Sequence, residues 1–224
     1  MFSINLKSLG KAAVVTAGIA LSISAQAQRT FEYTVKVTNI TKGISFTPVL
    51  SVAHNHNVRL FNVGEEASPE VIRIAEGGDI APLQDQLNAD DGVSATAHSE
   101  GLLNPGESVE ITLSSTNAFP RLSLISMALP TNDTLVSLLN ARLPHYPGFT
   151  LTHFMRAYDG GSEVNSELCA DIPGPRCGGE PFSEDDQGEG YIYPSPGIHG
   201  EGDLSRAAYQ WADRVAKVEI TRVQ

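Results

Sequence analysis

Thr30-Phe-Glu-Tyr-Thr-Val-Lys-Val-Thr38 alternates without a break, with Phe31, Tyr33, Val35 and Val37 on one face and Glu32, Thr34, Lys36 and Thr38 on the other. Successive side chains of a strand point to opposite sides, so a period of two predicts a β-strand with one face in a core and one in water. Ala216-Lys-Val-Glu-Ile-Thr-Arg222 carries the same pattern near the other end. Two such strands bracketing the chain predict that both ends are built into one sheet system, and hence a single domain over residues 28–224.

Pro48 to Ala53, Val58 to Asn62, Ser108 to Leu113, Leu122 to Met127 and Phe149 to Tyr158 read as further strands, with Asn104-Pro-Gly106 as a turn. Ser68-Pro69-Glu70 before Val71-Ile-Arg-Ile-Ala75 and Gly77-Gly78 predicts a short helix with a cap, a proline start and a glycine stop. Asp79 to Asp90 predicts a second, with Ile80, Leu83 and Leu87 on one side. Lying between amphipathic strands, these helices are expected to cover an edge rather than form βαβ crossovers. The expected fold class is all-β: an antiparallel β-sandwich with one or two short edge helices and long loops. Gly178 to Asp203, rich in Gly and acids and free of Lys and Arg, reads as one such loop.

Residues 1–27 carry Lys7 and Lys11, an apolar run from Ala12 to Ile23, and Ala25-Gln-Ala27. That order of basic, apolar and small residues predicts a secretory signal cleaved after Ala27, and the apolar run is too short for a settled membrane span. Gln28 is not the cysteine that a lipid anchor would require. The expected location is periplasm, cell surface or medium. In such an oxidising compartment the two cysteines, Cys169 and Cys177, predict a disulfide across Pro173-Gly-Pro175. The formal charge is −11, more negative still without Lys7 and Lys11, and no cluster of Lys and Arg is visible. Nucleic acid is thereby excluded as an expected partner, and polar, acidic loops argue against membrane binding.

Two acidic loops follow apolar runs: Leu129-Pro-Thr-Asn-Asp133 and Tyr158-Asp-Gly-Gly-Ser-Glu163. Gly-rich turns at strand ends let carboxylate and carbonyl oxygens converge within the roughly 2.3 to 2.6 Å that Ca²⁺ requires. The competing reading makes them solvated turn residues, with Asp133 capping whatever begins at Thr134. His54-Asn-His56 puts two imidazoles on one strand face, suited to Zn²⁺ or Cu²⁺, or else supplies polar strand-end residues. Glu184-Asp-Asp186 and Glu189, with Tyr191 and Tyr193, offer a second cation site, a sugar surface or a solvated run. Trp211 is either a stacking platform or core. No Gly-x-Ser-x-Gly elbow, phosphate loop, dinucleotide fingerprint or His-Glu-x-x-His is present, so no catalytic residue is assigned.

Leu124-Ile-Ser-Met-Ala-Leu-Pro-Thr-Asn-Asp133, Arg156-Ala-Tyr-Asp-Gly-Gly-Ser-Glu163 and the closing strand resemble the spondin domain of extracellular matrix proteins. Phe46-Thr-Pro-Val-Leu-Ser-Val-Ala53 and Arg59-Leu-Phe-Asn-Val-Gly-Glu-Glu-Ala-Ser68 resemble its bacterial secreted branch. The resemblance implies a sandwich related to C2 domains, with calcium held at one end by loop carboxylates. The family's aspartates fall on Asp133 and Asp159, and its last acid on Glu163, which keeps the charge on an arm one methylene longer. Thr134 stands where an aromatic is common. The implied function is an exported, calcium-binding interaction or adhesion module of the cell envelope or secreted matrix, not an enzyme. Its partner would be an extracellular protein or polysaccharide. The alternatives are an exported hydrolase of glycans or esters using the same carboxylates, and a transition-metal protein using His54 and His56.

Overall fold

The alternating N-terminal segment forms β1 (Thr30–Asn39) in a computed structural model that describes Met1, residues 29–182 and residues 187–223. The expected signal at 1–27 lies outside the described residues save for Met1. After β1 come β2 (Ser45–Phe46), β3 (Leu50–His54), α1 (Pro69–Gly77), α2 (Ala81–Asn88), β4 (Val93–His98) and β5 (Ser108–Thr116). They are followed by β6 (Arg121–Leu129), β7 (Thr134–Arg142), β8 (Thr150–Asp159), β9 (Tyr193–Pro194), α3 (Arg206–Tyr209) and β10 (Ala216–Arg222).

The ladder runs β4-β3-β6-β7-β8-β10-β1-β5, with β2 added to β6 and β9 to β8. Every pairing among these strands is antiparallel. β4 and β5, the two ends of the order, also pack on one another, so the sheet curls into a nearly closed barrel or sandwich. The all-β antiparallel expectation is met. The two alternating segments meet directly, Val35 opposite Ile220 and Val37 opposite Val218, and all four are buried.

One core fills the curl, built on Val35, Val37, Phe46, Leu124, Met155 and Val218. A second lies on the outer face of β3, β6 and β7, where Leu50, Ile125 and Leu135 meet Ile74 of α1 and Leu83 of α2. The middle strands are thus buried on both sides, which is why β6 reads as an apolar run instead of an alternation. Its buried hydroxyls are satisfied within the sheet: Ser126 donates to the Thr47 carbonyl at 2.8 Å, and Ser137 of β7 to the Leu124 carbonyl at 2.6 Å.

α1 forms as its punctuation dictates. Ser68 accepts from the Val71 N–H at 3.4 Å, Pro69 sits in the first turn, and Gly78 closes the helix at φ 66. Three expectations need correction. The helices lie in the β3–β4 connection, and α1 covers a sheet face, because Ile125 and Leu135 require a lid there. Val58 to Asn62 is not a strand: Val58, Leu60 and Phe61 are buried, but as an irregular tuck under the helices. β7 was not expected, since double-sided burial erases the alternation that would reveal it.

Cys169 and Cys177 form the expected disulfide around a 3-10 turn, and Ile172 between them packs with Ile198 and Leu204. Trp211 is half-buried against both that cluster and the main core. It also walls a cavity of about 230 Å³ with Tyr158, Arg156 and Asp213.

Leu124 is fully buried at the centre of the barrel core. Leu124→Ala is expected to lower unfolding free energy by about 2 to 5 kcal/mol, measured by urea denaturation.

Candidate functional site: an acidic pole

The β6–β7 connection is a tight turn closed by its own side chains. Thr131 Oγ1 donates to the Ala128 carbonyl at 2.7 Å and accepts from the Thr134 N–H at 3.2 Å. β7 begins at Thr134, opposite Asp159 at the end of β8. Register alone therefore brings Asp133 and Asp159 to the same end of neighbouring strands. The turn after β8 wraps Asp133: Oδ2 accepts from the backbone N–H of Ser162 at 2.9 Å and of Glu163 at 3.1 Å. Asp159 accepts from the Gly161 N–H at 3.0 Å and from the Asn165 amide at 2.7 Å. Gly161 is at φ 67, and a Cβ there would stand 2.2 Å from the Tyr191 carbonyl oxygen, so glycine is the residue that fits.

Asp133 and Asp159 are fully buried, and Glu163 is 3% exposed. Burial, then Asp159, then Glu163 push the Asp133 carboxyl up to about 7, against the bonds from Glu163 and Ser162. Burial raises Asp159 as well, with Glu189 adding to it. Among the described residues neither aspartate forms an ion pair with a Lys or Arg. Asp133 Oδ1 is buried without a hydrogen-bond partner among the described residues. A buried carboxylate pair with no counter-cation is resolved by a shared proton or by a metal ion.

The sequence separated two contributors from this pole. Glu189 accepts from the Tyr193 hydroxyl at 2.9 Å, and Tyr193 pairs with Asp159 in the β8–β9 ladder, so the acid and tyrosine of the long loop join the pole. Burial first, then Asp159, drives the Tyr193 hydroxyl well above the ordinary tyrosine range. Glu184-Asp-Asp186 lies outside the described residues. Glu76, 7% exposed at the end of α1, bonds Ser162, and burial raises its carboxyl. An acid in the last turn of a helix opposes the macrodipole, and that local misfit was the one available signal.

Among the described residues no group of three or more His, Cys, Asp and Glu side chains is drawn together as a metal set. The pole presents a buried aspartate pair with Glu163 near enough to act on Asp133. The donor chemistry, all carboxylate, hydroxyl and carbonyl oxygen, fits a hard divalent cation.

His54 and His56 do not share a face. β3 ends at His54, which is fully buried with Nδ1 on the Asn55 carbonyl at 2.7 Å and Nε2 on Ser123 Oγ at 2.9 Å. His56 is exposed in the following bend, where Arg121 Nε donates to its Nδ1 at 3.1 Å. With both His54 nitrogens bonded in the interior, the paired-imidazole premise is lost.

Glu167 had no sequence signal at all. It is 3% exposed at φ 54, and its carboxylate accepts from three successive backbone N–H groups, His199, Gly200 at 2.7 Å and Glu201 at 3.2 Å. Its own N–H donates to Asn132 Oδ1 at 3.1 Å, in the β6–β7 turn. Glu167 thus clamps the far end of the long loop to the acidic pole.

A family model described as Spondin_N matches residues 29–145, just over half of the chain. Asp133 lies within the matched span; Asp159, Glu163 and β8 to β10 lie beyond it. No curated protein matches the chain.

The raised Asp133 carboxyl fixes a sign. An unfolded Asp loses its proton near 3.8 and the folded one near 7, so Asp133's contribution is complete below about pH 4 and is lost as pH rises to about 7. With a chelator present, the melting temperature of the wild type relative to Asp133→Asn is expected to fall across that window and flatten above it. Glu167→Gln is expected to cost about 1 to 3 kcal/mol by denaturant titration, because charge-assisted bonds to three N–H groups weaken together.

Proposed function

The chain belongs to the Spondin_N family, and from that premise we propose that it is an exported interaction module whose acidic pole is set by calcium. The buried Asp133–Asp159 pair without a basic partner among the described residues carries this reading. Asp133 through Oδ1, Asp159 and Glu163 would hold the ion. A bound divalent cation supplies the positive charge that two neighbouring buried carboxylates lack. The protein's own part is positional: the N–H groups of Gly161, Ser162 and Glu163 orient the two aspartates before any ion arrives. Ion binding would stiffen residues 130–133 and 158–163 together, since each turn already bonds the other.

The disulfide and the family's extracellular occurrence support export, and the reading of residues 1–27 as a signal agrees with both. We assign the module to the cell envelope or secreted matrix, with an extracellular protein or polysaccharide as its partner. The hydrolase alternative is disfavoured because Asp133 and Asp159 are both fully buried, and an acid–base pair must reach its substrate. No helix among the described residues is long and apolar enough to cross a membrane.

Calcium titration of the metal-free protein tests the assignment. An ion that binds only the folded state adds about 2.7 kcal/mol at one hundred times its dissociation constant, so calcium is expected to raise the melting temperature and a chelator to reverse it. Asp133→Asn and Asp159→Ala should each abolish the shift. A wild-type melting temperature indifferent to millimolar calcium would refute the calcium reading.

A further inference from the structure

At the end of the β6–β7 ladder far from the acidic pole, where β6 begins and β7 finishes, Arg121 stands directly opposite Arg142. Nine residues of strand at about 3.3 Å each place this end roughly 25 to 30 Å away, beyond the reach of screened charges. Side chains directly opposed on an antiparallel ladder share a face, and like charges there repel. Such a pairing is notable in a chain with 15 Lys and Arg against 26 Asp and Glu. Among the described residues neither arginine forms an ion pair with a carboxylate.

A cavity of about 300 Å³ opens here, lined by both arginines together with His56, His145 and Asn117, and no acid lines it. Arg121 is held in place: Nε donates to His56 Nδ1 at 3.1 Å and Nη1 to the Asn140 carbonyl at 3.4 Å. Asn140 is itself fixed in a left-handed conformation at φ 57, with its N–H on Ser123 Oγ at 2.9 Å. Because His56 Nδ1 accepts, Nε2 carries the ring hydrogen as a further donor. Arg142 is exposed and can swing its planar fork over the opening. One guanidinium is thus tied by hydrogen bonds and one is exposed, with an imidazole N–H and an amide between apolar walls.

We propose that this cavity binds a tetrahedral oxyanion, a sulfate or phosphate group, bridged between Arg121 and Arg142. Two guanidinium forks match the oxygens of such a group, and the anion removes the repulsion that the ladder imposes. The site is separate from the acidic pole and needs no divalent cation.

Binding is measured at low ionic strength with a chelator present, using inorganic sulfate, inorganic phosphate, and dextran sulfate against unmodified dextran. Saturable binding is expected, weakened about tenfold or more in Arg142→Gln and less in Arg142→Lys. Binding of the free ions puts recognition in the group itself; binding of dextran sulfate but not dextran or the free ions puts it in a polymer-borne ester, and either supports the site. A second readout needs no ligand. In buffer free of oxyanions Arg142→Gln should melt above the wild type, and added sulfate should reverse that order. The proposal is overturned if no probe binds saturably, or if Arg142→Gln binds as tightly as the wild type.

Discussion

Burial of β6 and β7 on both faces is the constraint from which the rest follows. A strand with one wet face is held in register because a one-residue slip would turn its apolar side chains to water; in a strand pressed between the barrel core and the helix layer register is held as well by polar groups, because such a shift would carry Ser123, Ser126 and Ser137 away from the carbonyls and ring nitrogens that satisfy them. The pairing is therefore fixed along its length. So are its two ends, one carrying Asp133 into contact with the β8 turn and the other setting Arg121 against Arg142.

The two ends use that rigidity with opposite signs. At one, carboxylates are withdrawn from water and brought together by the backbone; at the other, two arginines at opposed ladder positions line an open cavity. The penalty is electrostatic, and it is met by packing elsewhere in the sheet. At the acidic end the backbone N–H groups of Gly161, Ser162 and Glu163 hold the aspartates in place, whereas at the basic end only Arg121 is tied down by hydrogen bonds.

How far the sequence could be read depends on which faces are wet. β1 and β10 were legible residue by residue because Glu32, Lys36, Lys217 and Glu219 mark the solvent side of each alternation. α1 was legible through Ser68, Pro69 and Gly78. β7 was hidden because Leu135 and Val136 on successive positions are buried in different cores, and Val58 to Phe61 looked like a strand because apolar content alone does not say where hydrogen bonds go. At the pole, Asp133, Asp159 and Glu163 came from motifs at strand ends; the Glu163 N–H bonds the Asp133 carboxylate, and the Asp159 charge acts on it, without the three carboxylates forming a metal set among the described residues. Glu76, Glu189 and Glu167 did not, since each is brought in by a contact distant in sequence. His54 misled because i and i+2 share a face only while the strand continues, and β3 stops at His54.

The position of β10 between β8 and β1 has a further bearing on how the molecule comes into being. β1 cannot acquire its second neighbour until residues 216–222 are at hand, so the barrel closes through contacts spanning nearly the whole sequence, the kind that form slowly. Until then β1 is paired with β5 alone, and the sheet stays open along the edge that β10 will fill.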